Sequence, residues 1–297
     1  MPELPEVETI KNDLSKKIID LEIKNVETDW PKLFKGPDFE NHKKTIAGKK
    51  IIGVERRAKN LLIELSDNKT LLIHLKMTGH LLITDENIEI KHNKFVVDPN
   101  SPLSDPNNQF IHVVWHLTNN KKMAFSDLRK FGNISILDKE QLQEYLLRYG
   151  PEPLEDDFNY QKFACLLGKK KTGIKKFLMD QTKIAGIGNI YADEILFDAK
   201  IHPERDATDF SEEEKKALFD SIKKILKKAV ELRGTSVSDF RDTEGKKGAY
   251  GDVRLVYRKT GENCPDSCDG KVKRIVVGGR GTHFCPKCQL NPPERSK

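Results

Sequence analysis

Apolar residues near the start of the chain recur every three or four positions, which is the period of an amphipathic helix. They are Val7, Ile10, Leu14 and Ile18. Pro5 comes just before this run, and a proline followed by glutamates is typical of a first helical turn. The pattern predicts a helix that begins within the first few residues and buries one face.

Seven short apolar runs follow this helix, and polar residues that favour turns separate them. The runs lie at 50–54, 61–65, 71–75, 81–84, 110–117, 122–125 and 134–137. Their lengths and boundaries predict antiparallel strands packed as a β-sandwich. Residues 85–109 hold three prolines among Asp, Asn and Ser, so they predict a polar insertion rather than a strand.

The second half of the chain changes to a helical period. After a short helix at 139–148 and a linker at 150–157, helices are predicted at 161–167, 172–180, 189–199 and 211–233. The last helix starts at a Ser211…Glu214 capping box and stops at Gly234. We expect an α+β chain, with an N-terminal antiparallel β-sandwich flanked by helices and a helical C-terminal part. The predicted segments are 1–150, 151–250 and 251–297.

Composition narrows the class of protein only slightly. The 297 residues are 37% hydrophobic, which is enough for two cores, and the net charge is +6. Clusters of Lys and Arg are usually solvated faces, so this mild basicity does not by itself indicate a nucleic-acid partner. The chain shows no secretory signal and no long apolar run, and we therefore expect a cytoplasmic protein with reduced thiols and no membrane partner.

Four of the five cysteines stand in two close pairs. Cys264 and Cys268 form the first, and Cys285 and Cys288 form the second. Two such pairs favour one tetrahedral structural Zn²⁺ over two disulfides or four unrelated thiols. The fifth, Cys165, is expected to be a small buried hydrophobe.

Two further segments favour contact with phosphate. Residues 271–277 between the cysteine pairs predict a strand, and 278–281 predict a turn that holds Arg280 at the tip of a hairpin. In the second segment, Asn189 follows two glycines and is expected to cap a helix whose free N–H groups suit an anion. The alternatives are a solvated arginine and simple capping.

The extreme N-terminus could carry chemistry. If Met1 is removed, Pro2 presents a secondary amine, which titrates well below a lysine and can form an iminium ion with an aldehyde-level carbon. Glu3 stands beside it as a possible proton donor. The alternative is ordinary helix initiation without catalysis.

Taken together, these features resemble bacterial formamidopyrimidine-DNA glycosylases of the Fpg/Nei family. The matching motifs run in order along nearly the whole chain: PELPEVET at 2–9, RRAKNLL at 56–62, HLKMTG at 74–79, DLRKFG at 127–132, GPEP at 150–153, KKKT at 169–172, GIGNIYA at 186–192 and the terminal zinc hairpin. The resemblance implies a monomeric, bifunctional glycosylase and abasic-site lyase of base-excision repair. Its substrate would be double-stranded DNA containing 8-oxoguanine or formamidopyrimidines. The helical part would be a helix-two-turn-helix domain, and the cysteine hairpin would be a zinc finger.

The resemblance also implies a role for particular residues. Pro2 would attack the sugar C1′, Glu3 would protonate the ring oxygen, and Glu6 would position the site. Phosphate contacts would come from Lys59, Lys171, Asn189 and Arg280, of which Lys59 and Arg280 act at the catalytic centre. Met77, Arg129 and Phe131 would enter the duplex where the base is flipped, although core packing is the alternative for the two apolar residues. Residues 235–252 would close over the base.

Several positions depart from the family pattern. A proline is usual where Leu128 stands, a glycine for Lys76 and an arginine for Lys130, and the insertion at 85–109 is longer than expected. An endonuclease VIII-like enzyme for oxidised pyrimidines is the alternative within the family, but Leu4 favours the purine enzyme. A zinc-containing protein that binds damaged DNA without catalysis is the alternative from another class.

Overall fold

The protein was analysed as a computed structural model that describes residues 1–36, 38–167, 171–236 and 239–290. Two basic residues of the run at 169–171, Lys169 and Lys170, lie outside the described residues, as do residues 291–297 of the tail. The chain forms two compact units. The first combines Met1–Leu147 with Val230–Gly251, and the second combines Arg148–Ala229 with the residues from Asp252 onward. Residues 230–251 thus pack with the first unit, and the predicted division at residues 150 and 250 stays a prediction.

The first unit is the antiparallel β-sandwich that the apolar runs predict. One sheet has the strand order β1-β8-β9-β5 and the other has the order β10-β4-β3-β2. The strands are β1 (Ile23–Thr28), β2 (Ile51–Arg57), β3 (Asn60–Leu65), β4 (Lys69–His74), β5 (His80–Asp85), β8 (Ile111–Leu117), β9 (Lys121–Ser126) and β10 (Asn133–Asp138). The helices of this unit are α1 (Leu4–Lys17), α2 (Phe39–Ile46) and α3 (Lys139–Leu146).

One hydrophobic core joins α1 to the sandwich. Val7, Ile10 and Leu14 from α1 are fully buried with residues of both sheets, such as Ile73 and Trp115. Burial of a large apolar side chain contributes roughly 1.5–3 kcal/mol, so this contact fixes the N-terminus against the sheets. Among the described residues, none of the helices has both the length and the apolar character that a membrane crossing requires.

The insertion at 85–109 is not strand-free, so that prediction is wrong. It contains a short hairpin of β6 (Glu89–Lys91) and β7 (Lys94–Val96), followed by two 3₁₀ turns. His92 and Asn93 form the connecting turn with positive φ angles of 47° and 64°. Ile90 and Phe95 pack against the sheet and supply the apolar face. The signal in the sequence was a pair of alternating apolar residues on each side of the turn, Ile88 and Ile90 before it and Phe95 and Val97 after it.

The second unit is helical and carries the zinc hairpin. Its elements are α4 (Tyr160–Leu166), α5 (Ile174–Met179), α6 (Asn189–Asp198), α7 (Glu212–Glu231), β11 (Lys273–Val277) and β12 (Arg280–Phe284). The short helix α8 (Tyr250–Val253) begins in the last two residues of the first unit and ends in the second. The capping box of α7 is present, because Ser211 N–H donates to Glu214 and Glu214 N–H donates to the Ser211 hydroxyl.

Two local predictions in this unit are wrong. Gly188, in an extended conformation, is the N-cap of α6, and Asn189 is already the first helical residue. Cys165 is exposed because Phe163, two residues earlier on α4, takes the buried face of that helix.

A buried ion pair connects α5, α6 and β12. Lys175 Nζ lies 2.6 Å from Asp193 Oδ1 and 2.8 Å from Thr282 Oγ1, and both charged side chains are almost completely buried. The other carboxylate oxygen of Asp193 accepts from the His283 N–H at 2.8 Å. The pair therefore fixes the zinc hairpin to the helices of the same unit.

Lys175→Met should destabilise the second unit by about 3–5 kcal/mol, because it leaves a buried carboxylate without its cation. Urea unfolding followed by far-ultraviolet circular dichroism would detect the loss. Trp30 and Trp115, the two tryptophans of the chain, lie in the first unit, so their fluorescence is an internal control. Lys175→Met with Asp193→Asn should recover part of the loss, and an unchanged helical transition in the single variant would contradict this interpretation.

Candidate active site and zinc centre

The N-terminus of α1 is an ordered and buried corner of the first unit. Met1 is 43% exposed, whereas Pro2 and Glu3 are buried. Glu3 is the N-cap of α1, and its backbone N–H donates to Glu6 Oε2 at 2.7 Å. The residue that precedes Pro2 is therefore accessible for removal, while the proline and its neighbouring carboxylate are held in place.

The other oxygen of Glu6 binds a distant part of the chain. Glu6 Oε1 accepts from the Thr235 N–H at 2.7 Å. Gly234, just before it, has a φ of +76°, and a Cβ atom there would lie 2.7 Å from the same oxygen. A glycine is thus required both by the backbone conformation and by the close approach. Glu6 joins the start of α1 to residues 234–235.

A second contact holds the same segment against α1. Arg233 donates to both oxygens of Asp13 at 3.0 and 2.6 Å, and also to Asp242 Oδ2. The hydrogen bond to Asp13 and that to Asp242 raise the pKa of the guanidinium. The guanidinium therefore remains charged, and its fork fixes residues 233–242 beside the helix.

Lys59 lies in the turn between β2 and β3 and is only 7% exposed. His74 is at the end of β4, in register with Asn60, and its Nδ1 accepts from the Lys76 N–H at 3.0 Å. Burial, followed by the charges of Lys76 and Lys59, lowers the pKa of His74 to about 3. The imidazole is therefore neutral at neutral pH, with its proton on Nε2.

The three residues predicted to enter the duplex, Met77, Arg129 and Phe131, lie together on the surface of the first unit and are called the wedge below. Met77 and Phe131 are 40% and 50% exposed, so the alternative of core packing is wrong for both. Arg129 Nη1 lies 3.1 Å from the Met77 sulfur, and the guanidinium stacks over the Phe131 ring at 4.6 Å. Exposed apolar side chains that cluster in this way are typical of interaction surfaces, so these residues stay candidates for contact with DNA.

Buried Asp127 organises both loops that carry the wedge. Its carboxylate accepts from the Thr78 hydroxyl and from the Gly132 N–H, the latter at 2.8 Å. Gly79 and Gly132 both abut the ring of Phe125, where a Cβ atom would come within 2.7 Å of ring carbons. The base of the wedge is therefore packed to the density of the core.

The second unit holds the remaining predicted phosphate contacts. Asn189 Nδ2 donates to the Gly281 carbonyl at 3.0 Å, which places the first residue of α6 against the hairpin. Gly278 and Gly279, with φ angles of 57° and 75°, form the hairpin turn, and the exposed Arg280 begins β12 directly after it. Lys171 is also exposed.

The four paired cysteines form one cluster. Their sulfur atoms lie within 4.8 Å of one another, and the Cys264–Cys288 and Cys268–Cys285 sulfur pairs are 3.5 Å apart. A tetrahedral zinc–thiolate site has sulfur atoms about 3.8 Å apart, so these residues fit Zn²⁺. Gly270 leaves the necessary room, since a Cβ atom there would lie 2.8 Å from the Cys285 sulfur.

Three family models match the chain. Residues 1–134 match the formamidopyrimidine-DNA glycosylase N-terminal domain, residues 149–241 match the H2TH domain of the same enzymes, and residues 261–291 match the zinc finger found in FPG and IleRS. The chain belongs to the formamidopyrimidine-DNA glycosylase family. The zinc finger match and the sulfur cluster agree on one structural zinc ion, held by the four cysteines.

Relatives in this family align over nearly the whole chain. The glycosylase of Herpetosiphon aurantiacus is 40% identical over 97% of this chain and 100% of its own length, and that of Lactococcus lactis is 38% identical over 97% and 99%. A solved complex of the Lactococcus lactis protein with abasic-site DNA has a TM-score of 0.85 at 35% identity and covers 97% of this chain and 100% of that one. A MutM complex with DNA containing carbocyclic 8-oxo-G has a TM-score of 0.85 at 36% identity, covering 98% and 100%.

Several side chains that stabilise the candidate site were not predicted from the sequence. His74 and Asp127 fall inside the family motifs HLKMTG and DLRKFG, and that position was the available signal. No local sequence pattern indicates a role for Asp13, because its partner Arg233 is 220 positions away.

Cys285→Ser should release the metal and loosen the hairpin, because the ion supplies the folding free energy of such a small element. Elemental analysis should fall from about one zinc per chain to near zero, and binding to lesion-containing and undamaged duplexes should weaken alike. Cys165→Ser is the matched control, since that thiol is exposed and outside the cluster. A full zinc content in the Cys285 variant would contradict the four-thiolate site.

His74 should make the first unit acid-sensitive. Its pKa is lower in the folded state than the unfolded value of about 6.5, so the unfolded chain binds more protons between pH 6.5 and 3 and stability falls as the pH decreases through this range. The loss from pH 7 to pH 5 should be about 2 kcal/mol. His74→Asn keeps an acceptor but does not titrate. Urea unfolding followed by tryptophan fluorescence should show a smaller pH dependence in this variant, and an equal dependence would rule out the assignment.

Proposed function

We propose that this protein is a bifunctional DNA glycosylase and abasic-site lyase that removes oxidised purines, including 8-oxoguanine and formamidopyrimidines, from double-stranded DNA. The observation that carries the proposal is the buried Pro2–Glu3 corner in a chain of this family. Relatives solved as complexes support the substrate class, since the Lactococcus lactis protein was bound to abasic-site and Fapy-dG DNA.

The reaction begins once Met1 has been removed. The Pro2 nitrogen attacks C1′ of the damaged nucleotide, and the base leaves with the electron pair of the glycosidic bond and takes up the proton that the amine gives up. Glu3 then protonates the ring oxygen as the nitrogen lone pair opens the sugar. The product is an iminium ion, which makes the C2′–H bond acidic. Loss of a C2′ proton expels the 3′ phosphate, and loss of the C4′ proton then expels the 5′ phosphate. Glu6 acts through Glu3 and Thr235, because it binds the backbone of both.

The wedge supports base flipping. An apolar side chain that enters the duplex takes the place of the flipped base in the stack, and an arginine supplies donors to the orphaned base. Met77 and Phe131 are exposed and adjacent to Arg129, as this role requires. Phosphate contacts are assigned to Lys59, Lys171, Asn189 and Arg280. Contacts of this kind position the duplex but do not read its base sequence.

The proposal also covers cellular context. We propose a monomer that acts in the bacterial cytoplasm on the nucleoid, with no membrane partner. The net charge of +6 supports an attraction to DNA that weakens with salt. The purine enzyme is favoured over an endonuclease VIII-like one because the aligned relatives are formamidopyrimidine-DNA glycosylases over their full length.

Borohydride reduction should trap a covalent adduct between the mature protein and a duplex with 8-oxoguanine opposite cytosine, because only an imine is reduced to a stable amine. Pro2→Gly should retain lesion binding but lose most strand cleavage, and a protein that keeps Met1 should form no adduct because its proline nitrogen is an amide. Glu3→Gln should lower the single-turnover rate by about 10²–10⁴, the usual contribution of a general acid.

Pro5→Ala is the matched control, since Pro5 also lies in the first turn of α1 but has no free amine at any stage. It should leave trapping intact. Unchanged trapping in the protein that keeps Met1 would contradict the assignment of Pro2 as the nucleophile, and an internal amine such as Lys59 would then be tested. A wild-type protein that binds the lesion without any trapping would support the non-catalytic alternative.

A further inference from the structure

The long insertion at 85–109 packs against the segment that α1 also holds. We propose that this insertion positions residues 240–249 for base excision, with Asp105 and Asn108 as the positioning residues. This inference rests on the proposed function, because the segment ends at Ala249, which forms a bridge with Thr235, the residue that Glu6 binds.

Asp105 makes a charged contact with the segment. Arg241 is only 3% exposed, and its Nε and Nη2 donate to the two oxygens of Asp105 at 2.9–3.1 Å. Its Nη1 donates to the Phe240 carbonyl at 2.8 Å. Such a fork fixes both the distance and the angle between the two backbones.

Asn108 adds a neutral contact a few residues further along the segment. Its fully buried Nδ2 donates to the Pro102 carbonyl at 2.8 Å and to the Gly245 carbonyl at 3.1 Å, and its Oδ1 accepts from His80 Nε2 at 2.9 Å. A Cβ atom on Gly245 would lie 2.5 Å from that nitrogen. The insertion and the segment are thus in close backbone contact.

The insertion is itself a firm support. Phe95 and Leu103 are buried with Leu82, Ile111 and Ala124 on the sheet that contains β5, β8 and β9. Close packing of this kind holds Asp105 in a fixed position relative to the sheet. Asp105 also caps the second 3₁₀ turn. The carboxylate therefore has little freedom to follow Arg241 if the segment shifts.

The segment is connected to the proposed catalytic corner through Thr235, which pairs with Ala249. Thr235 is bound by Glu6, and residues 240–249 follow a few positions later, held on one side by α1 and on the other by the insertion. Pro2 and Glu3 serve both base excision and cleavage of an abasic site, but an abasic site has no base to hold. Loss of the insertion contact should consequently impair the first reaction and spare the second.

Asp105→Ala tests the contact, and Asp98→Ala is the matched control. Both aspartates precede a proline and accept a backbone N–H two residues later, at 2.9 Å from Asn107 and 2.7 Å from Asn100. Asp98 is exposed and bonds within its own turn, whereas Asp105 also binds Arg241. Arg241→Ala and the variant that combines it with Asp105→Ala complete a double-mutant cycle.

Three quantities would be measured: single-turnover release of 8-oxoguanine, cleavage of a preformed abasic site, and amide hydrogen exchange of residues 240–249. Asp105→Ala should lower base release roughly tenfold to a hundredfold, the cost of a small misplacement, with abasic-site cleavage at the wild-type level. Exchange in the segment should rise. Arg241→Ala should behave alike, the double variant should be no worse than either single variant, and Asp98→Ala should match the wild type.

A parallel loss of both reactions would overturn the inference, since it would indicate general damage to the unit. Unchanged base release with unchanged exchange would overturn it as well. Absence of any borohydride-trapped adduct in the wild type would instead refute the proposed function. Hydrogen exchange in Asp105→Ala would still decide whether the insertion holds the segment.

Discussion

The buried carboxylate of Glu6 is the contact on which the candidate site depends. The side chain is 1% exposed, and its two oxygens each accept a backbone N–H at 2.7 Å, one from Glu3 and one from Thr235, 229 positions away. A carboxylate that is buried without partners is costly, so these two bonds are needed together. The start of the chain is ordered because Glu6 has both partners, and Gly234 allows the approach by having no Cβ atom.

The sequence predicted those elements that show a local signal. α1, seven of the eight sandwich strands and the capping box of α7 follow from periodicity and from residues close in sequence, whereas β1 has only two buried positions and was missed. Contacts such as Asp13 with Arg233 or Asn108 with Gly245 join residues more than 130 positions apart, and no local pattern encodes them. Asn189 was misjudged because an asparagine after glycine looks like a cap, whereas the extended conformation of Gly188 gives that position to the glycine.

Two of the residues that depart from the family pattern, Lys76 and Lys130, lie at positions of backbone strain. Lys76 and Lys130 both have positive φ angles, 54° and 56°, a region that glycine occupies without cost and other residues at roughly 1–2 kcal/mol. The network around Asp127 holds both loops, and Lys130 Nζ also lies 4.1 Å above the Trp30 ring. A cation over an aromatic ring contributes roughly 0.5–2 kcal/mol, which is of the size needed to offset the strain at that residue. The strain at Lys130 is thus offset by a contact of its own side chain.

Two of the three phosphate contacts assigned to the second unit, those of Asn189 and Arg280, depend on one another through the hairpin. Lys175 binds Thr282, the Thr282 hydroxyl donates to the Arg280 carbonyl at 3.0 Å, and Asn189 donates to the Gly281 carbonyl. The backbone of Arg280 is therefore fixed by a buried charge on α5 and lies next to the residue that α6 contacts. Because Asp193 binds both Lys175 and the His283 N–H, the polar core of this unit and the two proposed phosphate ligands form a single network. The four zinc-binding cysteines lie at the other end of the same hairpin. The position of Arg280 therefore depends on both the metal site and the ion pair.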